Sequence, residues 1–419
     1  MRSFAFGAMV TSCALGCAVG DAGSRHVHGP ATHAATGVCS TIELHEMARS
    51  AVMAPVATTY PRLFAQAVED RVVYVFATPE LVAYVYEPRS DRWQTIKGGG
   101  LGPNNPESVI GISIGHRVVL AWQLPGQPAH RVAIDAVAGT IGALPTAGAP
   151  ATVGAVFRAG DSLFEWPRDE QRVIDFAHGV RFDFAKGTWT AVTSNKAPPS
   201  DEVYSSTVVG SHIFMSTAHH GAQMFDTEHD AWRDPGGPKI FGYAYAWHDR
   251  VALVGSTSVP NSELWVYDVP ADRWSSAGPV RHAHAGSGWS LTIDVGRYFA
   301  TLTDAEGWMF DLESAAWVGI PPAIPGTPIV PVQLGDRAVA FLSYDRLVAF
   351  EPDSRTWCEK RVSVPALGMH NPSLTWGGAS AGVYGSLEEV PQPSCPHGMP
   401  CHQQPAQFVG RQIGSVITW

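Results

Sequence analysis

The sequence predicts an all-β protein built from repeats, and three observations carry that reading. The first is a signature that recurs along the chain. An apolar or aromatic residue precedes an acid, and a large apolar residue follows six positions after the acid. The acids are Glu87, Asp135, Asp183, Asp226, Asp268, Asp311 and Glu351, preceded by Tyr86, Ile134, Phe182, Phe225, Tyr267, Phe310 and Phe350. Six positions on stand Trp93, Ile141, Trp189, Trp232, Trp274, Trp317 and Trp357. The second observation is the spacing. Successive acids lie 48, 48, 43, 42, 43 and 40 residues apart, and self-similarity at such a period marks a repeat architecture. The third is composition. The 42 Gly and 32 Pro supply many turns, and 14 Trp with only 16% charged residues supply core material.

In chain order, residues 1–20 read as an export signal. Arg2 gives a short positive region and residues 4–15 a short apolar one. Ala14-Leu15-Gly16-Cys17 resembles the bacterial lipoprotein signal, in which the Cys is lipidated and becomes the mature N-terminus. Ala14 departs from that signal, which prefers Leu there. A looser match ends at Cys13, and simple cleavage after Gly20 competes with both. The lipoprotein and cleavage readings each place the mature chain outside the cytoplasm, at a cell surface, in the periplasm or secreted. No later apolar run reaches a membrane-spanning length, so a lipid at Cys17 is the one membrane attachment expected.

Residues 21–38 are rich in Gly, Ala, His and Ser without a period, as a flexible leader is. His26, His28 and His33 lie there. A polar tail is the plain reading of them, and weak metal binding the sharper one.

Residues 39–365 carry the repeats, each with the same internal order. An apolar run rich in small residues comes first, such as 108–114, 152–157 or 290–295. A tight turn follows at Asp70-Arg71, His116-Arg117, Asp161-Ser162, Ser211-His212, Asp249-Arg250, Gly296-Arg297 and Asp336-Arg337. The second strand follows at once, and a variable loop leads to the third, which ends on the signature acid. That acid is placed to accept the N–H groups of the next turn. The aromatic before it faces the packing between neighbouring sheets, and the Trp opens a short outer strand and covers the gap between repeats. Ile141 in place of Trp predicts looser packing in the second repeat. Four strands per repeat, iterated, make the blades of a β-propeller. Seven signatures predict seven blades. The alternative is an eighth, completed by an N-terminal strand at 41–45.

The spacing, the acid-to-Trp signature and the Asp-Arg turns resemble the Kelch-repeat family, including the central domain of galactose oxidase, over roughly residues 41–365. Arg281-His282-Ala283-His284 resembles the Arg-x-x-His that opens many such repeats. The Gly-Gly pair usual after the second strand is missing from the seven repeats, and only Gly377-Gly378 matches it. The copper chemistry of galactose oxidase does not carry over, because no ligand matches residue by residue.

Residues 366–419 close or cap the array, with strands expected at 373–376, 382–384 and 412–419. They also hold two of the four cysteines beyond the leader: Cys39, Cys358, Cys395 and Cys401. Four cysteines in an exported chain point to disulfides and allow three pairings. The short Pro/Gly loop from Cys395 to Cys401 suits local closure, which leaves Cys39 with Cys358 across the join of the array. No cofactor is expected. The sharper alternative is copper or zinc held near His397 and His402 with Met399 and the two cysteines.

Function is less legible. A net charge of −10, from 28 basic and 38 acidic residues, argues against a nucleic-acid partner. No G-x-S-x-G, H-E-x-x-H or phosphate-binding glycine loop occurs. Arg281, His282, His284, His219, His220 and His370 are the candidate binding residues, because loops at one end of a propeller form its usual recognition surface. Each also has a plain reading as a hydrogen-bonded loop residue. The expectation is a monomeric module that binds a protein or a glycan. A carbohydrate-active enzyme with its site at the funnel mouth is the alternative.

Overall fold

The computed structural model describes residues 37–38, 42–46, most of 62–362, and the strands at 373–377, 380–385 and 413–418. Short segments within 62–362 lie outside the described residues, namely 78–79, 88, 91, 104–108, 125, 170–172, 257–261, 282–289, 304–306, 321–329, 335–337 and 343–345. Among the described residues the regular structure is β-strand apart from one short 3-10 turn at Phe176–His178.

Eight four-stranded antiparallel sheets form, each a meander in spatial order. Sheets 1 to 7 follow the signature series. Their first strands are Arg62–Val68, Ile110–Ile114, Ala155–Ala159, Val203–Val209, Phe241–Trp247, Ser290–Val295 and Val330–Leu334. Sheet 8 was the less favoured expectation. It joins Ser373–Gly377, Ser380–Gly385 and Ile413–Thr418 to the N-terminal strand Glu43–Glu46. Sheet 7 gains a fifth strand, Gly37–Val38, which pairs in parallel with Thr356–Arg361. One N-terminal stretch thus serves two sheets.

The sheets pack face to face. Six hydrophobic clusters are each drawn from two consecutive sheets, from the pair 1 and 2 to the pair 6 and 7. Strand alternation explains how one strand serves two clusters. In His212–Thr217, Ile213 and Met215 pack toward sheet 3 while Phe214 packs toward sheet 5. The first strands of sheets 1 through 5 approach one another in succession, and that of sheet 8 lies against those of sheets 7 and 1.

The signature is a local device with a clear geometry. The aromatic before the acid sits directly across from the Trp of the fourth strand in six sheets, with ring centroids 4.8 to 5.3 Å apart. Each such pair adds to sheet stability beyond the area it buries. The acid caps the turn that follows. Asp135 Oδ1 accepts the N–H groups of Val137 and Ala138 at 3.0 and 2.8 Å. Asp183, Asp226, Asp268 and Asp311 do the same in their own turns. Glu87 and Glu351 reach instead to the hydroxyls of Ser90 and Ser354, at 2.6 and 2.5 Å. The turn's fourth residue adopts a left-handed φ, from +50° at Asp230 to +67° at Gly139.

Asp336-Arg337 lies outside the described residues. Of the other six expected hairpin turns, Gly296-Arg297 stands as expected and five are corrected by one residue. The six occupy Glu69-Asp70, Gly115-His116, Gly160-Asp161, Gly210-Ser211, His248-Asp249 and Gly296-Arg297, with a left-handed φ of +50° to +56° at the first position. That backbone favours glycine, and glycine stands there in four of the six. In all six sheets the residue after the turn opens the second strand opposite the signature acid; in sheet 6 that residue is Tyr298, and the basic residue is the second of the turn. Arg71 meets Glu87 at 2.8 Å and Arg117 meets Asp135 at 3.1 Å. His212, Arg250 and Arg297 approach Asp226, Asp268 and Asp311 at 3.6, 3.7 and 3.6 Å. Ile141 is half-buried against the cluster between sheets 1 and 2. It supplies packing there but no ring pair.

Candidate functional site

The meander topology separates two ends of the strands. Hairpin turns and signature turns leave from one end. The loops between second and third strands, and the connections between sheets, leave from the other.

His219 and His220 lie at the connection end, between the second and third strands of sheet 4. They are organised by Asp201, whose side chain is buried. Asp201 accepts His219 Nδ1 at 2.7 Å and the backbone N–H groups of His219, His220 and Glu202 at 2.8 to 3.0 Å. Burial opposes ionisation of Asp201, but the His219 hydrogen bond and the backbone donors outweigh it and hold the carboxyl below its usual range. The same bond, aided by the carboxylate charge, raises the His219 pKa. The imidazole itself is exposed. His178 and His229 hold the same Nδ1 contact to Asp175 and Asp226, at 2.7 and 2.8 Å, within ordinary surface turns. Three such pairs make this a turn-fixing arrangement.

Arg281 follows the last strand of sheet 5. Its carbonyl accepts the Thr301 hydroxyl at 2.7 Å, and its guanidinium lies 4.5 Å from the ring centroid of Trp308. This exposed cation is therefore already held against sheet 6. His282, His284 and His370 lie outside the described residues, as do Cys17, Cys39, Cys395, Cys401, His397, Met399 and His402. Cys358 sits opposite Ala349 and Gly37 and is disulfide-bonded. Among the described residues no group of three or more His, Cys, Asp or Glu is placed to hold a metal.

One concavity was not singled out by the sequence. A cavity of about 480 Å³ opens between the first strands of sheets 2, 3 and 4, lined by Ile112, Val156, Phe157, Arg158, Gly160, Ser206, Thr207 and Val208. Arg158 is its charged group, and its side chain is exposed. On the first strands of sheets 4 and 5, Tyr204 and Tyr243 stand 52% and 62% exposed, as few large side chains here do. Ser205 ties those two strands together. Its Oγ donates to Gly242 O at 2.6 Å and accepts Ala244 N–H at 2.8 Å.

Asp294, on the first strand of sheet 6, reaches solvent yet is hemmed in by the surrounding fold. Solvent contact and depth describe different things here, as for a group facing a narrow opening. Desolvation raises its pKa. The buried Tyr245 hydroxyl has no hydrogen-bond partner among the described residues. Its pKa is pushed up by burial and then by the charge of Asp294.

The sequence did carry a signal for two of these groups. Arg158 and Asp294 each stand two residues before the hairpin turn of their sheet, where the other sheets place Ala67, Ser113, Val208 and Ala246. A charge inside a run of small apolar residues breaks the pattern of the repeats.

The class defined by these features is an all-β repeat protein of propeller-like four-stranded sheets with a cavity between its first strands. No protein-family model matches the chain, and no curated protein matches it. Among solved structures the chain is similar to the computationally designed Ika8 protein, at 10% identity and a TM-score of 0.41. That similarity covers 71% of this chain and 82% of the other.

Proposed function

We propose that the eight sheets are blades of one closed, Kelch-like β-propeller, exported and monomeric, that works as a binding module for a glycan or protein ligand. Closure is supported by the position of sheet 8 between sheets 7 and 1, and by its use of the N-terminal strand Glu43–Glu46. The closed ring leaves no long open sheet edge. Export is supported by the signal-like residues 1–20, with a lipid at Cys17 as the membrane anchor. Mass spectrometry of the mature N-terminus tests this: a chain that retains residues 1–16 rejects it.

A glycan is favoured over a protein by one observation. Tyr204 and Tyr243 are exposed on neighbouring first strands, and Tyr204 stands two residues before Ser206, which with Thr207 brings hydroxyls to a concave site. Ring faces pack against sugar C–H groups and hydroxyls pair with sugar hydroxyls, whereas a protein partner is better served by a broad apolar patch. The volume suits a ligand of one or two sugar rings. Binding to a glycan array, with and without Tyr204→Ala and Tyr243→Ala, tests the assignment. Loss of signal in the variants is expected, and a wild-type protein that binds no glycan refutes it.

A second reading, a carbohydrate-active enzyme, is favoured by Asp294 alone. A solvent-reached carboxyl whose pKa is raised by its surroundings suits a general acid. Release of reducing sugar that is lost in Asp294→Asn would establish this reading. Its absence across a polysaccharide panel leaves the binding module.

A further inference from the structure

We infer that the ligand is an acidic glycan, and that Arg158 binds its carboxylate or sulfate group. This rests on the glycan reading of the same cavity. Three observations carry it.

The first is that Arg158 lacks a counter-charge among the described residues. Among the described residues the arginines around it are engaged. Arg131 is buried against Glu165, Arg117 meets Asp135, Arg181 donates to Ser162, and Arg233 pairs with Asp272. No described acid lies within ion-pair distance of Arg158, although the protein as a whole is acidic.

The second is that the repeat does not call for an arginine. The equivalent positions in four other sheets hold Ala67, Ser113, Val208 and Ala246. Asp294 is the counterpart in sheet 6, so a basic side chain stands at this position in sheet 3 alone among the six sheets whose turns are described.

The third is the setting. Arg158 lines the cavity together with the hydroxyl-bearing Ser206 and Thr207. At Gly160, two residues on, an added Cβ would meet nothing within 4 Å, so the approach beside the guanidinium is open. A guanidinium fork with adjacent hydroxyl donors is a recognition set for a planar carboxylate or for sulfate oxygens. In an acidic protein the other surfaces repel a polyanion, which concentrates the attraction at this cavity.

Affinity electrophoresis and calorimetry with the full chain test the inference. The probes are polygalacturonate and hyaluronate as carboxylated polymers, heparin and chondroitin sulfate as sulfated ones, and dextran and xyloglucan as neutral ones. Binding to one acidic class is expected. It should weaken about ten-fold or more in R158Q, recover in part in R158K, and fall with added salt. The class bound separates carboxylate from sulfate. Arg158 is exposed, so both variants should fold, and matched circular dichroism verifies this. Binding to neutral polymers alone, unchanged in R158Q, overturns the acidic ligand while leaving the glycan reading in place. Acidic binding indifferent to R158Q overturns the role of Arg158. No binding to any polymer overturns both readings.

Discussion

Trp274 of sheet 5 stands directly over Gly237, in the connection that leaves sheet 4. A Cβ on Gly237 would come within 2.2 Å of Trp274 Nε1. That N–H is donated to Pro235 O at 3.1 Å. Trp189 and Trp232 make the same reach backward, to Pro145 O at 2.8 Å and Thr193 O at 3.2 Å. In sheets 3, 4 and 5 the repeated Trp therefore does two jobs. It stacks on its own sheet's aromatic and locks the exit of the preceding sheet.

Gly237→Ala should expose that lock. Gly237 has a φ of +97°, so any side chain is strained there, and the new methyl collides with the indole. A loss of about 1–3 kcal/mol is expected from overpacking. Trp274→Phe, which keeps much of the ring but drops the donor, should cost less, about 1 kcal/mol. Urea denaturation measures both. Equal stability of the Ala variant and wild type would show that the connection relaxes freely.

Arg131 and Glu165 form the buried ion pair between sheets 2 and 3. Two contacts of 2.6 and 2.7 Å join side chains that are 3% and 0% exposed. Burial pushes the Glu165 pKa up despite its partner. Arg131→Met strands a carboxylate among apolar groups and should cost about 3–5 kcal/mol. The double variant Arg131→Met with Glu165→Leu should recover most of that loss, since neither charge is then buried alone. A double variant as unstable as the single one contradicts the account.

The Asp201–His219 pair predicts opposite pH dependences for its two members. The His219 pKa is raised, so its contribution is fully present below the unfolded value of about 6.5 and fades as pH rises through the folded value. The Asp201 pKa is lowered, so its contribution is present above the unfolded value of about 3.9 and is lost as pH falls through the folded one. NMR titration should place His219 above the ordinary histidine range, and Asp201→Asn should return it toward that range. An unchanged His219 midpoint in that variant would remove Asp201 as the cause.

The fold was largely legible because the repeat states its own rules many times. Glu87-Pro88-Arg89-Ser90 and Glu351-Pro352-Asp353-Ser354 show a longer acid matched by a Ser three residues on. The five Asp copies need no such Ser, since their shorter side chains reach the backbone N–H groups directly. Five of the hairpin turns sit one residue earlier than expected, because the polar or basic residue that opens the second strand reads as a turn residue. Its place opposite the signature acid follows from strand register, which composition does not reveal. Sheet 8 was harder still, as Ile413–Thr418 and Glu43–Glu46 pair across nearly the whole chain and share no signature. The cavity was not legible, because its walls come from three sheets whose first strands look like ordinary core. Arg158 was readable only as an exception to its repeat.

The join of the array supplies the last prediction. Gly37 pairs with Cys358, and Val38 with Glu359. Cys39 follows by one residue, and Lys360 Nζ donates to Ile42 O just beyond. The short strand Gly37–Val38, paired with the bonded cysteine on sheet 7, and the strand Glu43–Glu46 of sheet 8 are thus separated by a few residues of one chain. We propose that Cys39 is the partner of Cys358, which leaves Cys395 and Cys401 to pair locally. Such a bond closes a loop of roughly 300 residues, worth on the order of 5 kcal/mol if unfolded-chain entropy dominates. It would act where strand pairing is shortest, at the two residues Gly37–Val38. Peptide mapping of the unreduced protein should return a Cys39–Cys358 linked peptide. Cys39→Ser should lower the melting temperature while leaving glycan binding at the Arg158 cavity intact, because the cavity lies on sheets 2 to 4 and the bond on sheet 7. A Cys358 linked instead to Cys395 or Cys401 would reassign the closure to the C-terminal segment.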